Sequence, residues 1–408
     1  MDTAGDVTFS ASNGSSTITV SDPSHGAVVN DFVTFSGAAS LGGNVTAAVL
    51  NQEYQIISIT DSSTYTVQAR AAGTTSSITV NGQYSPTPVV ANASDSGNGG
   101  SSVIGKYQIN VGLDTSVLGT GWGAGTWSRG TWNSAASVDL ITDTLRIWTH
   151  DNFGENLLIN VMNGGIFYWQ PSGGLTNNPA VAISSLAGAN QAPTIATKVI
   201  VSDVDRHVIA FGCDPATNIG TQDPLLIRFS DQENITDWNS TADNSAGSLS
   251  IGSGSKIVTA IETRQQILVF TDISLHALQY VGPPFTFGIN MISDNITIRS
   301  PSSVAAVQDT VYWMGKSEFY IYNGGVQTLP CSVKDYVFSD FNSSQAEKCF
   351  AAVNSSFSEV WWFYPSSSSD NNDRYVVYNY LQNVWYYGTM VRTAWIDRGV
   401  EENPIAAG

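Results

Sequence analysis

Charge is scarce in this chain. Only 12% of its 408 residues are charged, and just 16 are basic against 34 acidic, for a net charge of −18. With 42% hydrophobic residues, that low charge excludes disorder driven by self-repulsion. The shortage of cations excludes tight nucleic-acid binding, which needs basic side chains to displace counterions from phosphate. An anionic surface also repels DNA and acidic membranes. A conduit through which DNA slides is not excluded, because such a wall should not grip phosphate. Long apolar runs are missing as well: none approaches the roughly 18 residues of a membrane helix. The opening Met1-Asp2-Thr3-Ala4-Gly5-Asp6 has neither a basic region nor an apolar stretch, so no secretory signal is expected.

Cysteine and histidine are sparse. Cys213, Cys331 and Cys349 cannot all pair within one chain and lack metal-ligand spacing. They are expected as buried free thiols in a protein made in a reducing cytoplasm. Asn234-Ile235-Thr236 and Asn342-Ser343-Ser344 have the form of glycosylation sites. Such triplets arise by chance in a chain this rich in Asn, Ser and Thr. His25, His150, His207 and His276 are scattered, with no HExxH or paired spacing. His25 sits in a Pro-Ser-His-Gly turn and is expected to stabilise it. His207 and His276 lie within apolar strands and are expected as satisfied core or interface residues. No Gly-x-Ser-x-Gly elbow or phosphate loop is present. Asp203-Val204-Asp205 offers two carboxylates without a third ligand, which favours a solvated turn over a metal site. No catalytic residue, cofactor or metal is expected. A propeller glycosidase would need paired carboxylates or an arginine cluster, and no specific sign of either stands out.

What the chain does have is short apolar runs with β-branched and aromatic members, separated by Gly, Ser, Thr and Asn: an all-β composition. The best helix candidates are brief, at Ser302–Val307 and Ser344–Val353. Residues 1–90 read as a small β module, with strands at Val7–Ser10, Ser16–Val20, Phe32–Ser36, Glu53–Ile59 and Tyr65–Gln68. Turn pairs such as Asn13-Gly14, Asp22-Pro23 and Gly42-Gly43 punctuate them. Residues 91–140 read as a linker and loop rich in Gly, Ser and Trp, and Asn92–Ser102 is expected to be flexible.

From 141 to 408 a loose repeat appears. Five times an apolar strand is followed by an aromatic or aliphatic one. The pairs are Leu157–Val161 with Ile166–Trp169, His207–Phe211 with Leu225–Phe229, and Ile267–Phe270 with Leu275–Tyr280. Thr310–Trp313 with Glu318–Tyr322 and Glu359–Phe363 with Tyr375–Tyr380 complete the set. First-strand midpoints at 159, 209, 268, 312 and 361 are separated by 50, 59, 44 and 49 residues. A four-stranded propeller blade occupies about 40–50 residues. One hairpin cannot bury both its faces; stacked radially, each sheet buries its apolar side on the next. The expectation is a β-propeller-like body with an additional small N-terminal β-barrel or sandwich module. A β-sandwich or stacked modules would show similar strand spacing.

Aromatics are the other abundance, with 11 Trp and 16 Tyr. Trp122, Trp127 and Trp132 recur five residues apart in a glycine-rich stretch. Aromatic faces stack on sugars or bases, and Trp also anchors interfaces. Packing or assembly is the favoured reading, with a ligand platform second. Ser230–Trp238 has the Ser, Thr and Trp of an Asp-box propeller turn at the wrong Asp and Gly offsets. An Asp-box is itself a structural turn.

Several segments carry a family resemblance. They are Phe229-Ser-Asp-Gln-Glu-Asn-Ile-Thr-Asp-Trp238, Val311-Tyr-Trp-Met-Gly-Lys-Ser-Glu-Phe-Tyr-Ile-Tyr-Asn-Gly324, and Glu359-Val-Trp-Trp-Phe-Tyr-Pro365. Arg374–Tyr380, Asn383–Gly388 and Arg392–Asp397 continue the set. Over roughly residues 195–400 the chain resembles the tail nozzle (tail tubular, or DNA-stabilisation) proteins of short-tailed bacteriophages. His25-Gly26 and Asp31–Gly37 resemble a small barrel inserted in some phage tail proteins. The resemblance implies a virion protein made in the bacterial cytoplasm. It further implies a hexameric homo-oligomer below portal and adaptor proteins, with tail fibre partners and genomic DNA passing through its lumen without tight binding. The alternative expectation is a receptor- or glycan-binding tail protein. The chain departs from the family pattern in lacking a leading propeller segment and in stopping soon after Ile396-Asp397. That departure leaves a fragment of a longer protein, and closure of the ring within one protomer, as open expectations.

Overall fold

The computed structural model describes residues 6–23, 25–73, 88–112, 145–174, 179–399 and 402–408. The chain divides into two compact units, one containing Met1–Leu113 and the other Leu145–Gly408.

In the first unit, β1 (Thr8–Ala11), β2 (Thr17–Ser21), β3 (Phe32–Ser36), β4 (Glu53–Asp61), β5 (Thr64–Gln68) and β6 (Ile104–Gln108) form one antiparallel sheet. Their order is β1-β2-β5-β4-β3-β6. Alternation decides which side chains go inward: Ile18 and Val20, Val33 and Phe35, and Tyr65 and Val67 meet in a single core. The small module therefore runs past residue 90, because β6 pairs with β3 from Phe32↔Gln108 to Ser36↔Ile104. Asn92–Ser102, expected to be flexible, is tied to the module. The Gly97 N–H donates to the Leu41 carbonyl at 2.7 Å, and the Ala39 N–H to the Gly99 carbonyl at 2.7 Å. Gly37, at φ +75°, is required beside it, since a Cβ there would stand 2.1 Å from the Ser102 carbonyl oxygen.

The second unit contains five consecutive four-stranded antiparallel meanders, a propeller-like body. Sheet I is β7 (Trp148–Phe153), β8 (Asn156–Val161), β9 (Ile166–Trp169) and β10 (Val181–Ala182). Sheet II is β11 (Ala196–Val201), β12 (Val208–Cys213), β13 (Leu226–Phe229) and β14 (Gly247–Ser250). Sheet III is β15 (Ile257–Glu262), β16 (Ile267–Thr271), β17 (Leu275–Gly282) and β18 (Thr286–Ser293). Sheet IV is β19 (Val304–Val307), β20 (Thr310–Met314), β21 (Phe319–Tyr322) and β22 (Val326–Leu329). Sheet V is β23 (Phe350–Asn354), β24 (Glu359–Pro365), β25 (Asn372–Asn379) and β26 (Val384–Thr389). A ribbon of β27 (Ala394–Ile396) and β28 (Ile405–Ala407) follows, and β27 packs on β23.

The five hairpins read from sequence are the central pair of strands in each sheet. The period of two explains why the sheets stack. Ile267 and Val269 pack toward sheet II, whereas Leu268 and Phe270 pack toward sheet IV. Val311 and Trp313 face sheet III, whereas Tyr312 and Met314 face sheet V. Each large aromatic so buried contributes about 4–6 kcal/mol of gross hydrophobic free energy, at ~25 cal/mol per Å2 over 150–250 Å2. The first strands pack in succession, β7 on β11, β11 on β15, β15 on β19 and β19 on β23. They line a common axis.

Both helix candidates are corrected. Val304–Val307 is strand β19, paired with β20, because its alternate side chains are claimed by sheets III and V. Ser343–Lys348 is a 3-10 helix, and Phe350–Asn354 is a strand. Segments this short cannot repay the cost of helix nucleation against an available sheet edge.

Candidate functional site

Trp122, Trp127 and Trp132, the proposed assembly or ligand platform, lie outside the described residues. His25, His207 and His276 behave as structural groups. His25 accepts the Ala27 N–H on Nδ1 at 3.1 Å and sits edge-on to Tyr65. His207 is buried, with Nε2 3.0 Å from Ser245 Oγ and its ring against Phe229 and Phe287. His276 Nε2 lies 2.9 Å from Ser274 Oγ. Burial holds both imidazoles below their ordinary range. Cys213 and Cys349 are buried and Cys331 half-buried, all three unpaired. Burial pushes Cys213 and Cys349 up to about 12 and Cys331 to about 11, which makes all three poor nucleophiles near neutral pH.

The Ser230–Trp238 segment is a closed structural loop. Asp231 Oδ1 accepts from the Ser245 N–H at 2.9 Å and its hydroxyl at 2.7 Å. Burial alone would raise that carboxyl, but the Ser245 bonds outweigh it and hold it low. Trp238 is buried, and its indole N–H donates to the Ile235 carbonyl at 2.8 Å. Beneath the loop the Arg228 guanidinium donates to the backbone carbonyls of Asp214 at 3.1 Å, Gln191 at 2.5 Å and Trp238 at 3.5 Å.

One groove lies among the first strands of the sheets. It has a volume of about 200 Å3 and is lined by Thr149, Lys198, Thr259, Ile261, Ser302 and Val304, among others, drawn from sheets I to IV. Lys198 Nζ donates to Thr259 Oγ1 at 3.3 Å. Burial drags its ammonium down to about 8, against a smaller opposing pull from Asp151. Further along the same strands lies an acidic group. Asp151 Oδ2 accepts the Val201 N–H at 2.8 Å, and Glu262 Oε1 accepts the Asp203 N–H at 3.0 Å. Asp205 Oδ2 accepts the Ser202 hydroxyl at 3.3 Å. Burial, then repulsion from Asp203, Asp151 and Asp205, lifts Glu262 to about 7. Asp203-Val204-Asp205 is the solvated turn expected of it, with Val204 74% exposed. No cluster of three or more His, Cys, Asp or Glu among the described residues could hold a metal. Sequence reasoning passed over Lys198 and Glu262. Their signal was a lone charge inside the alternation of Ala196–Val201 and one at the end of Ile257–Glu262.

No family model matches the chain, and no curated protein matches it. The comparisons assign it to no family. Among solved structures it is similar to Hsv2 of Kluyveromyces marxianus, at 8% identity and a TM-score of 0.34, covering 59% of this chain and 62% of that one. It is similar to Hsv2 of Kluyveromyces lactis at 10% identity and a TM-score of 0.36, covering 61% and 65%. It is also similar to the endosialidase of phage phi92 at 11% identity and a TM-score of 0.23, covering 89% and 46%. The chain thus spans less than two thirds of each of these proteins. Likenesses this distant carry no functional assignment.

Proposed function

We propose that this chain is a structural, non-enzymatic subunit of a phage tail nozzle, assembling into a homo-oligomeric ring whose anionic lumen retains and then conducts the genome. The observation that carries the reading is the run of six nozzle-like segments and the places they occupy. Phe229–Trp238 is the closed loop over Arg228; Val311–Gly324 spans β20 and β21; Glu359–Pro365 and Arg374–Tyr380 fall on β24 and β25; Asn383–Gly388 covers β26 and Arg392–Asp397 covers β27. The polar clusters around them are spent on backbone hydrogen bonds, as in a scaffold. The axis of the sheets is a groove of about 200 Å3, far too small for a duplex. In this reading the channel lies between protomers, walled by a chain of net charge −18. Exposed apolar side chains on the outermost strands, such as Met291 on β18 and Val384 and Tyr387 on β26, suit contacts between subunits.

The test is to image the purified protein by electron microscopy and weigh it in solution. A ring of about six 43.4 kDa protomers is expected, with negligible duplex DNA binding at physiological salt. A strict monomer at micromolar concentration, or submicromolar salt-sensitive DNA binding, overturns the reading. Binding of one specific sugar that is lost in Trp127→Ala would instead favour a glycan-binding tail protein.

A further inference from the structure

The axial groove holds a cation whose charge is offset among the described residues only by Asp151 and whose hydrogen bonding is incomplete. An ammonium carries three donors, yet among the described residues Lys198 makes one hydrogen bond, to Thr259 Oγ1 at 3.3 Å, and its side chain lines the groove. Placing a lysine in this position is costly, because a half-buried charge loses solvation. A Met or Leu would fit the alternation of β11 without that cost. The remaining wall is mostly apolar: Ile147, Met162, Val258, Ile261, Pro301 and Val304. The lining hydroxyls of Thr149 and Thr197 are engaged elsewhere, with Asn160 and Asn163. The site therefore offers one positive charge, the Thr259 hydroxyl beside it, the Ser302 hydroxyl on the wall, and a largely hydrocarbon surface.

We propose that the axial groove binds a short-chain monocarboxylate, its carboxylate on Lys198 and Thr259 and its alkyl chain against Ile147, Met162, Val258 and Val304. Size supports this. An apolar cavity of ~150 Å3 holds a benzene ring, so about 200 Å3 accommodates a molecule of roughly six to eight heavy atoms. Charge narrows the choice. A single lysine, with Asp151, Asp203, Asp205 and Glu262 further along the axis, disfavours phosphate and other polyanions, which need several cations to offset their charge. The rival occupant is an organic cation held by that acidic group. It would leave the Lys198 ammonium facing a like charge, and none of those carboxylates lines the groove. Entry is open, since Thr149, Met162, Lys198, Val258, Ile261 and Ser302 are only partly buried.

Calorimetric titration of the intact chain with sodium butyrate at pH 7 tests the proposal, with inorganic phosphate and n-butylamine as parallel probes. Saturable butyrate binding in the roughly millimolar range is expected, weakened at least tenfold in Lys198→Met. Lys256→Met, which removes an exposed lysine, should leave it unchanged. Val258→Trp fills the groove while keeping the amine and should abolish binding, so a folding defect in one variant does not leave the question open. Thermal unfolding of each variant verifies its fold. No butyrate binding up to 20–30 times that range, equal or tighter binding of phosphate or butylamine, or full affinity in Lys198→Met would each overturn the proposal.

Discussion

Trp362, in the middle of β24, donates its indole N–H to the backbone carbonyl of Ser303 at 3.0 Å, joining sheet V to the start of sheet IV. Both residues are fully buried, and the ring also packs on Phe319 and Trp385. The same side chain thus fills the core between two sheets and gives a second hydrogen bond to a carbonyl that already accepts the Met314 N–H at 3.1 Å. Trp362→Ala should destabilise the second unit by about 3–5 kcal/mol through the cavity alone. Trp362→Phe should cost less, about 1–2 kcal/mol, from the lost ring volume and the lost second bond to that carbonyl. Urea denaturation followed by intrinsic fluorescence would rank them, and equal midpoints would contradict this account.

Among the described residues Arg228 is a buried cation without a carboxylate partner in hydrogen-bond range; it binds three backbone carbonyls from three separate segments. Its planar fork reaches all three at once, which a lysine cannot do. Arg228→Lys and Arg228→Met should both lower stability, by roughly 2–4 kcal/mol, with Lys giving little rescue. The loop carrying Trp238 should become the first site of limited proteolysis in either variant. Rescue by lysine to near wild-type stability would show that charge, not geometry, is what matters there.

The parts of the fold legible in the sequence are those where burial on both faces leaves a dense apolar signature. Ile267–Phe270 and Val360–Phe363 are such runs, and the central hairpins followed from them. The edge strands carry no such signal. Gly247-Ser-Leu-Ser250 is β14, and Trp148-Thr-His-Asp-Asn-Phe153 is β7, both half-solvated and polar enough to read as loop. They become strands because a neighbour supplies an edge, which is a tertiary effect. Asn92–Ser102 misled for the opposite reason. Its composition is that of a linker, and its order comes from residues some 50 positions away. Lys198 was equally hidden: only the packing of sheet II on sheet III shows that it meets Thr259.

Asp95 accounts for the order of that segment. Its carboxylate accepts backbone N–H groups from Gly43 at 2.8 Å, Asn44 at 3.1 Å, Val45 at 2.9 Å and Asn92 at 2.8 Å. Burial by itself would raise the carboxyl, but these four bonds outweigh it and hold it below the usual range. Asp95→Asn places an amide NH2 against backbone donors, and a loss of about 2–4 kcal/mol from the first unit is expected. Because the folded carboxyl titrates lower than the unfolded one, its contribution is present above about pH 4 and fades as pH falls below that. Thermal unfolding at pH 7 and at pH 3 should therefore separate wild type from Asp95→Asn at the first pH and bring them closer at the second. A constant difference across that range would be inconsistent with the bond set.

Glu262 gives a pH dependence of the opposite sign. Its folded value of about 7 lies above the ordinary glutamate value of 4.5, so the folded protein holds a proton that the unfolded chain releases. This stabilisation is complete below about pH 4.5 and is lost as pH rises through 7. Above that point the charged Glu262 faces Asp151, Asp203 and Asp205 without relief. Glu262→Gln keeps an oxygen for the Asp203 N–H and removes the titration. Between pH 5 and pH 7.5 its stability should fall less than that of wild type, with the variant the more stable of the two at the upper end. Lys198, depressed to about 8, adds a gain only as pH climbs from there toward 10.5, so it does not mask the effect in this window. Denaturant midpoints measured at half-unit pH steps would resolve the two slopes. Parallel curves would mean that the carboxyl ionises as freely in the folded chain as in the unfolded one.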